Sequence, residues 1–242
     1  MRLRTRSLVL SVTGATLLAI AVIFYREMRS SSEAHSRMQR MKVCISWLIS
    51  DPGVAHPAIR IDANGNALYS WRYHSYVLMS QKSLVANDVR QRLEYSWADQ
   101  NNRAIREAVG PWEFCQSGKR TACVLGVVGR DTAFDPSKFP TWLTLTEDQL
   151  ILVEGEIPGL HWMAPGDLEV DQIPTSAKTL DDLGIRHLAS DGVYVAFADG
   201  DVWMISTQTP LAKLRLFMTA ANASQHDRFK ELGTYRVDSR AN

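Results

Sequence analysis

The sequence GVYVAFADGDVWMIST, residues Gly192–Thr207, says more about the fold than any other stretch of the chain. Two runs of β-forming residues, Val193–Ala198 and Asp201–Ser206, flank the pair Asp199-Gly200. An Asp-Gly pair between such runs predicts a β-hairpin with a two-residue type I′ turn, in which both central residues have positive φ. We therefore expect Asp199 and Gly200 to form the turn and to have no catalytic role.

Helix and strand signals on both sides of the hairpin predict an α+β fold. The segment TPLAKLRLFMTAA, which begins at Thr209, has apolar residues at helical spacing and predicts a short helix. Apolar residues between Met38 and Leu48 recur at steps of three and four, which predicts a helix that packs on a sheet. A long surface connection is expected from Glu156 to Asp182, because prolines and acidic turn residues interrupt it. Further strands are expected at Ile59–Ile61, Ala67–Ser70, Ala122–Val128 and Gln149–Glu154, and further helices at Val77–Arg92 and Asn101–Val109.

The N-terminus differs in composition from the rest of the chain. Ser7–Tyr25 carries no charge over nineteen residues, and a helix of that length spans about 28 Å, close to the thickness of a bilayer core. Arginines precede it, which favours a cytoplasmic N-terminus and a main domain in the periplasm or elsewhere outside the cytoplasm. A cleaved signal peptide with a site at Ala19-Ile-Ala21 is the alternative. The predicted organisation is a cytoplasmic N-terminus (1–6), a transmembrane anchor (7–25), a helix extension (26–50) and an α+β domain (51–242).

Five blocks of sequence, in order, carry a resemblance to a known family. They are Asp62–Gln81 with Ser-Trp-Arg, Ala86–Ile105 with Trp97 and Asp99, Cys123–Asp135 with Gly-Val-Val-Gly, Leu150–Asp171 with Trp-x-x-Pro-x-Asp-Leu, and the C-terminal Asp-Gly block. In this order the blocks resemble a prepilin-like family of unknown function typical of planctomycetes, which is related to type II secretion pseudopilins.

The resemblance implies a pilin-like fold, in which a long N-terminal transmembrane helix packs on an antiparallel sheet. The chain departs from the family pattern in three places. Leu188-Ala189-Ser190 replaces the glycine-rich sequence that the family has after the His. Eleven residues, not nine, separate His187 from Asp199, and the prepilin cleavage motif is missing. Arg6 stands where the family has Gly before the cleavage point, and Ser11 stands where it has Glu.

The composition and motifs favour some classes of function over others. The formal net charge is +1, with 27 basic and 26 acidic residues, so nucleic-acid binding is not expected. The sequence lacks a nucleophile elbow, a phosphate-binding P-loop, a His-Glu-x-x-His motif and a Cys-x-x-Cys motif. We therefore expect a non-enzymatic protein without a cofactor, a catalytic site or a metal site.

Several side chains are candidates for a site. Cys115 and Cys123 could close a small disulfide loop outside the cytoplasm, and two unpaired thiols are the alternative. Glu154 and Glu156 could act as paired carboxylates, although two solvated groups at a strand end are favoured. Asp191, Asp199 and Asp201 could bind Ca²⁺, although turn formation alone explains Asp199. The histidines are read as surface or turn residues, and the tryptophans as core residues or as an exposed sugar-binding platform.

The resulting functional prediction is a membrane-anchored, pilin- or pseudopilin-like protein with a structural or interaction role. Its expected partners are the membrane, through Ser7–Tyr25, and proteins of the cell envelope or of a secretion-like apparatus. Two alternatives remain open at this point. One is an envelope module that binds a small ligand or a glycan, and the other is a hydrolase whose site has no recognisable motif.

Overall fold

The computed structural model describes residues 30–49, 59–62, 67–80, 93–135, 145–190 and 192–237. The chain divides into two compact units, Met1–Arg37 and Met38–Asn242. In the first unit, residues 30–37 are helical. The packing and the sites described below belong to the second unit.

Strands and short helices alternate along the described part of the chain. The strands are β1 (Ile59–Ile61), β2 (Ala67–Ser70), β3 (Val124–Val128), β4 (Leu150–Glu154), β5 (Leu168–Glu169), β6 (Val193–Phe197) and β7 (Val202–Ile205). The helices are α1 (residues 30–49), α2 (Trp71–Ser80), α3 (Arg103–Glu107), α4 (Leu211–Met218), α5 (Ala220–Ala223) and α6 (Arg228–Leu232). Short 3-10 turns lie at Gln100–Asn102, Val170–Gln172, Leu180–Leu183 and Gly233–Tyr235.

A mixed sheet forms the centre of the second unit. Within the described residues, its strand order is β5-β3-β4-β6-β7, and a separate antiparallel pair joins β1 to β2. The pairs β3–β4, β4–β6 and β6–β7 are antiparallel, whereas β5 runs parallel to β3. The expected strands at Ile59–Ile61 and Ala67–Ser70 are confirmed, and so is the short helix after the hairpin.

The sheet is buried on both faces because its strands alternate between two apolar cores. In β6, Tyr194 and Ala196 pack on one side with Met41 and Ile45 of α1 and with the ring of Trp71. Val193, Val195 and Phe197 pack on the other side with Leu211, Leu214 and Phe217 of α4. Burial on both faces explains why the strands read as almost continuous apolar runs.

The pilin-like fold class is wrong for the described residues, although α+β is right. The part of α1 at 38–49 does pack on the sheet, but α1 as a whole is not a long apolar helix. It contains Glu33, Arg37, Arg40 and Lys42. The sheet is also mixed rather than antiparallel, because β5 adds in parallel to β3.

The expected single-pass membrane placement is also contradicted. From residue 30 onward, no described helix combines the length and the apolar character needed to cross a bilayer. The predicted anchor, Ser7–Tyr25, lies outside the described residues.

The connection expected to run over the surface from Glu156 to Asp182 enters the core instead. Trp162, Met163 and Leu168 are buried, and β5 lies within this connection and pairs with β3. Local proline and turn signals identified an irregular segment correctly. These signals do not reveal that a buried arginine, Arg72, holds the segment in the core.

The hairpin between β6 and β7 reverses at Asp199 and Gly200, but its turn is not of type I′. Gly200 has a φ of 91°, while Asp131 is the only non-glycine residue in the described chain with positive φ. The Gly200 N–H donates to the Phe197 carbonyl at 2.9 Å, and the Phe197 N–H donates to the Asp201 carbonyl at 3.0 Å. This pattern is a three-residue loop with a glycine bulge, in which only Gly200 needs the left-handed conformation.

Candidate functional site

Arg72 lies at the start of α2 and is completely buried. Its five N–H groups make five hydrogen bonds. One goes to Asp167 Oδ1, at 2.6 Å from Nη1. The others go to the carbonyls of Trp162, Val124, Ala164 and Gly166, at 2.8–3.2 Å. A buried charge is tolerated when it is paired and fully hydrogen-bonded, and Arg72 meets both conditions.

Oδ1 of Asp167 accepts three hydrogen bonds, from donors in two segments of the chain. Besides Arg72, the Trp71 indole N–H donates to Oδ1 at 3.0 Å and the Gly126 backbone N–H donates at 2.7 Å. Burial raises the pKa of Asp167, and Arg72, Gly126 and Trp71 oppose that rise. These contacts join α2, β3 and the 162–168 turn, so we call Arg72, Asp167, Trp71 and Gly126 the interior cluster.

A second arginine, Arg228, lies at the start of α6 against the β6–β7 hairpin. Its side chain is buried and faces three carboxylates. Nη1 donates to Asp199 Oδ1 at 2.9 Å, and Nη2 donates to Asp199 Oδ2 and, at 3.0 Å, to Asp201. Nε lies 3.2 Å from Asp148 Oδ1. Asp199 therefore does more than form a turn, because it binds Arg228 through both carboxylate oxygens.

Three aromatic rings surround the Arg228 guanidinium. Its central carbon lies 4.7 Å from the Phe197 ring centroid, 5.2 Å from Trp203 and 5.3 Å from Phe229. Phe229 packs edge-on against Trp203 with centroids 4.9 Å apart, yet 59% of the residue is exposed. We call Arg228, Asp148, Asp199, Asp201 and Phe229 the surface cluster.

Within the surface cluster, three aspartates share the single guanidinium of Arg228. The Arg236 guanidinium lies beside the cluster, with its central carbon 5.1 Å from the Trp203 ring centroid. Burial raises the pKa of Asp199, but hydrogen bonds from Arg228 and from the Asp201 N–H outweigh it and leave this pKa below its ordinary value. Asp201 is 56% exposed. An exposed aromatic ring beside excess negative charge is suited to contact a cationic, partly apolar group.

The aspartates weighed for calcium are not arranged as a cation site. Asp199 and Asp201 bind Arg228, and Asp191 lies outside the described residues. Over the parts of the chain that the structure covers, no group of three or more His, Cys, Asp or Glu side chains could hold a metal ion.

Glu154 and Glu156 are buried rather than solvated. Glu154 accepts the Tyr194 backbone N–H at 3.3 Å, and its other oxygen lies 4.0 Å from Arg40. Glu156 pairs with the largely exposed Arg186. The two carboxylates thus pair with different arginines.

Cys115 and Cys123 are free and buried, as is Cys44, so the suggested disulfide is not formed in this structure. Cys115 lies opposite Ala122, while the Cys123 N–H donates to the Phe114 carbonyl at 2.8 Å. This register offsets the two cysteines by one position. Burial raises the pKa of each of these two thiols to about 12.

The tryptophans do not form an exposed stacking platform in the described part of the chain. Trp71, Trp162 and Trp203 are buried, and Trp97 is half-buried against His161. Trp112 is 49% exposed, and Trp142 lies outside the described residues. Core packing accounts for the buried rings, as the sequence favoured.

Sequence reasoning missed Arg72, Asp167, Arg228, Phe229 and His161. Arg72 and Asp167 are 95 residues apart, and Arg228 and Asp199 are 29 apart. A buried arginine looks like a surface arginine in sequence. The signal that was available for Arg72 was its position directly after a strand, between Trp71 and Tyr73.

Comparisons with known proteins found no similar protein. The chain matches no family model, no curated protein and no solved structure. Membership in a pilin or pseudopilin family therefore has no support, and the keywords that followed from it are withdrawn together with the membrane span.

Proposed function

We propose that the second unit is a protein-interaction module without a catalytic role, and that it binds a basic segment of a partner at the surface cluster. The observation that carries this proposal is the setting of Phe229. Its ring is largely exposed, yet it is held against Trp203 and the Arg228 guanidinium. An aromatic side chain that is already held in place loses little entropy when a partner covers it.

The charge around Phe229 supports a basic partner. Asp148, Asp199 and Asp201 outnumber the guanidinium that they share. A lysine or arginine of the partner would meet the carboxylates at the rim while an apolar group covers Phe229. Because Asp201 is exposed, the electrostatic part of this binding should weaken as salt is added.

The contacts of three other buried charged side chains support a non-catalytic role. Arg72 uses all of its N–H groups within the fold. Glu154 and Glu156 each face an arginine. These contacts hold segments of the fold together.

A peptide-display selection with counter-selection tests the proposal. The full chain is used to select binders from a random peptide library, and the pool is then depleted on the Phe229→Ala variant. Trp112→Ala is the matched control, because Trp112 is also an exposed aromatic residue but lies outside the surface cluster. Binding of the selected peptides is measured at low and at physiological salt.

We expect peptides rich in lysine or arginine with an apolar anchor to survive the depletion. Their affinity for Phe229→Ala should fall at least tenfold, a loss of about 1.4 kcal/mol. Their affinity for Trp112→Ala should be unchanged. Peptides that bind both variants equally, or that carry no excess of positive charge, would refute the proposal.

A further inference from the structure

A tight turn just before β3 projects from the surface of the second unit. The backbone reverses between Cys115 and Ala122, which face each other in an antiparallel bridge. Gly118 has a φ of 76° within this reversal. A Cβ atom at Gly118 would meet no other described part of the chain within 4 Å, so the end of the turn is open to a partner.

This turn carries two exposed cations beside two exposed apolar side chains. Lys119 and Arg120 are exposed, and among the described residues neither side chain has an ion-pair or hydrogen-bond partner. Val109 is 65% exposed and Trp112 is 49% exposed. The Gly110 N–H donates to the Lys119 carbonyl at 3.0 Å, which holds 109–112 against the turn. We call Val109, Trp112, Lys119 and Arg120 the basic turn.

The surface cluster offers the opposite charge around its own exposed ring, Phe229. Five carboxylates and three cations lie in the cluster or directly beside it: Asp148, Asp199, Asp201, Glu147 and Asp227, with Arg228, Lys230 and Arg236. At the basic turn, by contrast, Glu113 is the only acidic residue between Val109 and Arg120. The two surfaces are therefore complementary in charge, and each has an apolar group that a partner can cover.

The two surfaces lie at opposite ends of the mixed sheet. β4 begins two residues after Asp148, and β6 ends two residues before Asp199, so both strands meet the surface cluster at the same end. At the other end of β4, Glu154 lies opposite Val124, the first residue of β3. The basic turn leads directly into β3 at this end. Five residues of strand separate the ends by about 15 Å, so the two surfaces face different neighbours.

We propose that the partner of the surface cluster is a second copy of this chain, which inserts its basic turn there. This inference rests on the proposed function, because it identifies the basic segment that binds at the surface cluster. Trp112 of one copy covers Phe229 of the other. Lys119 and Arg120 face the aspartates of the β6–β7 hairpin. The contact uses different surfaces on the two copies, so it is heterologous and leaves one surface of each kind free for further copies.

Sedimentation velocity of the full chain, in a concentration series up to about 0.5 mM, measures this association. Phe229→Ala weakens the surface cluster, and Arg120→Glu weakens the basic turn. Lys178→Glu is the matched control for Arg120→Glu, because Lys178 is also an exposed cation but belongs to neither surface. Association through any other part of the chain is the same in all four proteins and is therefore subtracted.

An equimolar mixture of Phe229→Ala and Arg120→Glu is the decisive sample. Each variant keeps one intact surface, so the basic turn of Phe229→Ala can bind the surface cluster of Arg120→Glu. We expect the dissociation constant to rise at least tenfold in each variant alone and to stay unchanged in Lys178→Glu. The mixture should return to about the wild-type value and stop at pairs, because the remaining surfaces are the weakened ones.

Wild-type chains that stay monomeric throughout the series would overturn the proposal, as would a mixture that associates no better than its components. Should Arg120→Glu fold poorly, Lys119→Glu takes its place. The peptide selection separates this failure from failure of the proposed function. Basic peptides that bind through Phe229 of a monomeric chain would leave the proposed function standing and show that the partner is a different protein.

Discussion

The interior and surface clusters use the same chemistry in two different settings. Each places an arginine among aspartate oxygens and aromatic rings. Arg72 pairs with one carboxylate and four backbone carbonyls, so its charge is balanced inside the fold. Arg228 pairs with three carboxylates, two of them on the β6–β7 hairpin, so the aspartates outnumber the guanidinium that they share.

The comparison separates charged side chains that only stabilise the fold from those that can also bind a partner. A buried pair whose donors are all used connects segments of the fold. A pair that lies beside additional carboxylates and an exposed aromatic ring can also bind a partner. Stability measurements should therefore respond strongly at the interior cluster and weakly at the surface cluster, while binding should respond only at the surface cluster.

The largest expected effect is at Arg72. Arg72→Met removes the cation and leaves Asp167 buried without its ion-pair partner, which should cost about 3–5 kcal/mol in the free energy of unfolding. Urea denaturation followed by tryptophan fluorescence measures this change.

Arg103→Met is the control for Arg72→Met. Arg103 pairs with Glu107 one helical turn away, and both side chains are largely exposed. Removing such a pair should cost about 0.5 kcal/mol or less. Similar losses in the two variants would show that burial of Arg72 does not set its importance.

Elements of the fold that depend on neighbouring residues in the sequence were predicted well. β1, β2 and α4 were expected from runs of β-forming residues and from helical periodicity, and the structure has them. Each signal lies within a few residues of the element that it specifies. The 38–49 part of α1 also packs on the sheet through Met41, Ile45 and Leu48.

Features that depend on contacts between residues far apart in the sequence were not predicted. The turn at Asp199 was assigned from its Asp-Gly pair alone, but its carboxylate also binds Arg228, 29 residues later. The segment after Glu156 was placed on the surface from its prolines, but Arg72 holds its turn in the core from about 90 residues earlier. Arg228 leaves no local pattern, and the position of Arg72 directly after a strand does not indicate which distant residues it binds.

The second expected effect is smaller and lies at the surface cluster. Asp199→Asn removes one charge from the pair with Arg228, which should cost about 1 kcal/mol of stability at neutral pH. Asp201→Asn is the matched comparison, because Asp201 also contacts Arg228 but is more exposed. It should cost about 0.5 kcal/mol or less, and an equal cost would contradict the assigned roles.

The contribution of Asp199 should also depend on pH. Its pKa is below the ordinary value in the folded protein, because hydrogen bonds from Arg228 and Asp201 outweigh the effect of burial. Its stabilisation is therefore complete above the ordinary aspartate pKa of about 3.9, and it is lost as the pH falls below that value. The difference between the wild type and Asp199→Asn should shrink over the same acid range.

The smallest expected effect concerns the three buried cysteines, which should not react rapidly with a thiol reagent in the native protein. Cys44, Cys115 and Cys123 lie in the same core as Trp71, and burial raises the pKa of Cys115 and Cys123 to about 12. A thiol reagent attacks the thiolate, which is scarce at that pKa. We expect no rapid reaction in the unreduced native protein at pH 8 and three reactive thiols after denaturation.

A single reactive thiol that maps to Cys44 would instead establish the Cys115–Cys123 disulfide. Rapid native labelling would show that the core around the interior cluster opens to solvent, and it would remove the contrast drawn with the surface cluster.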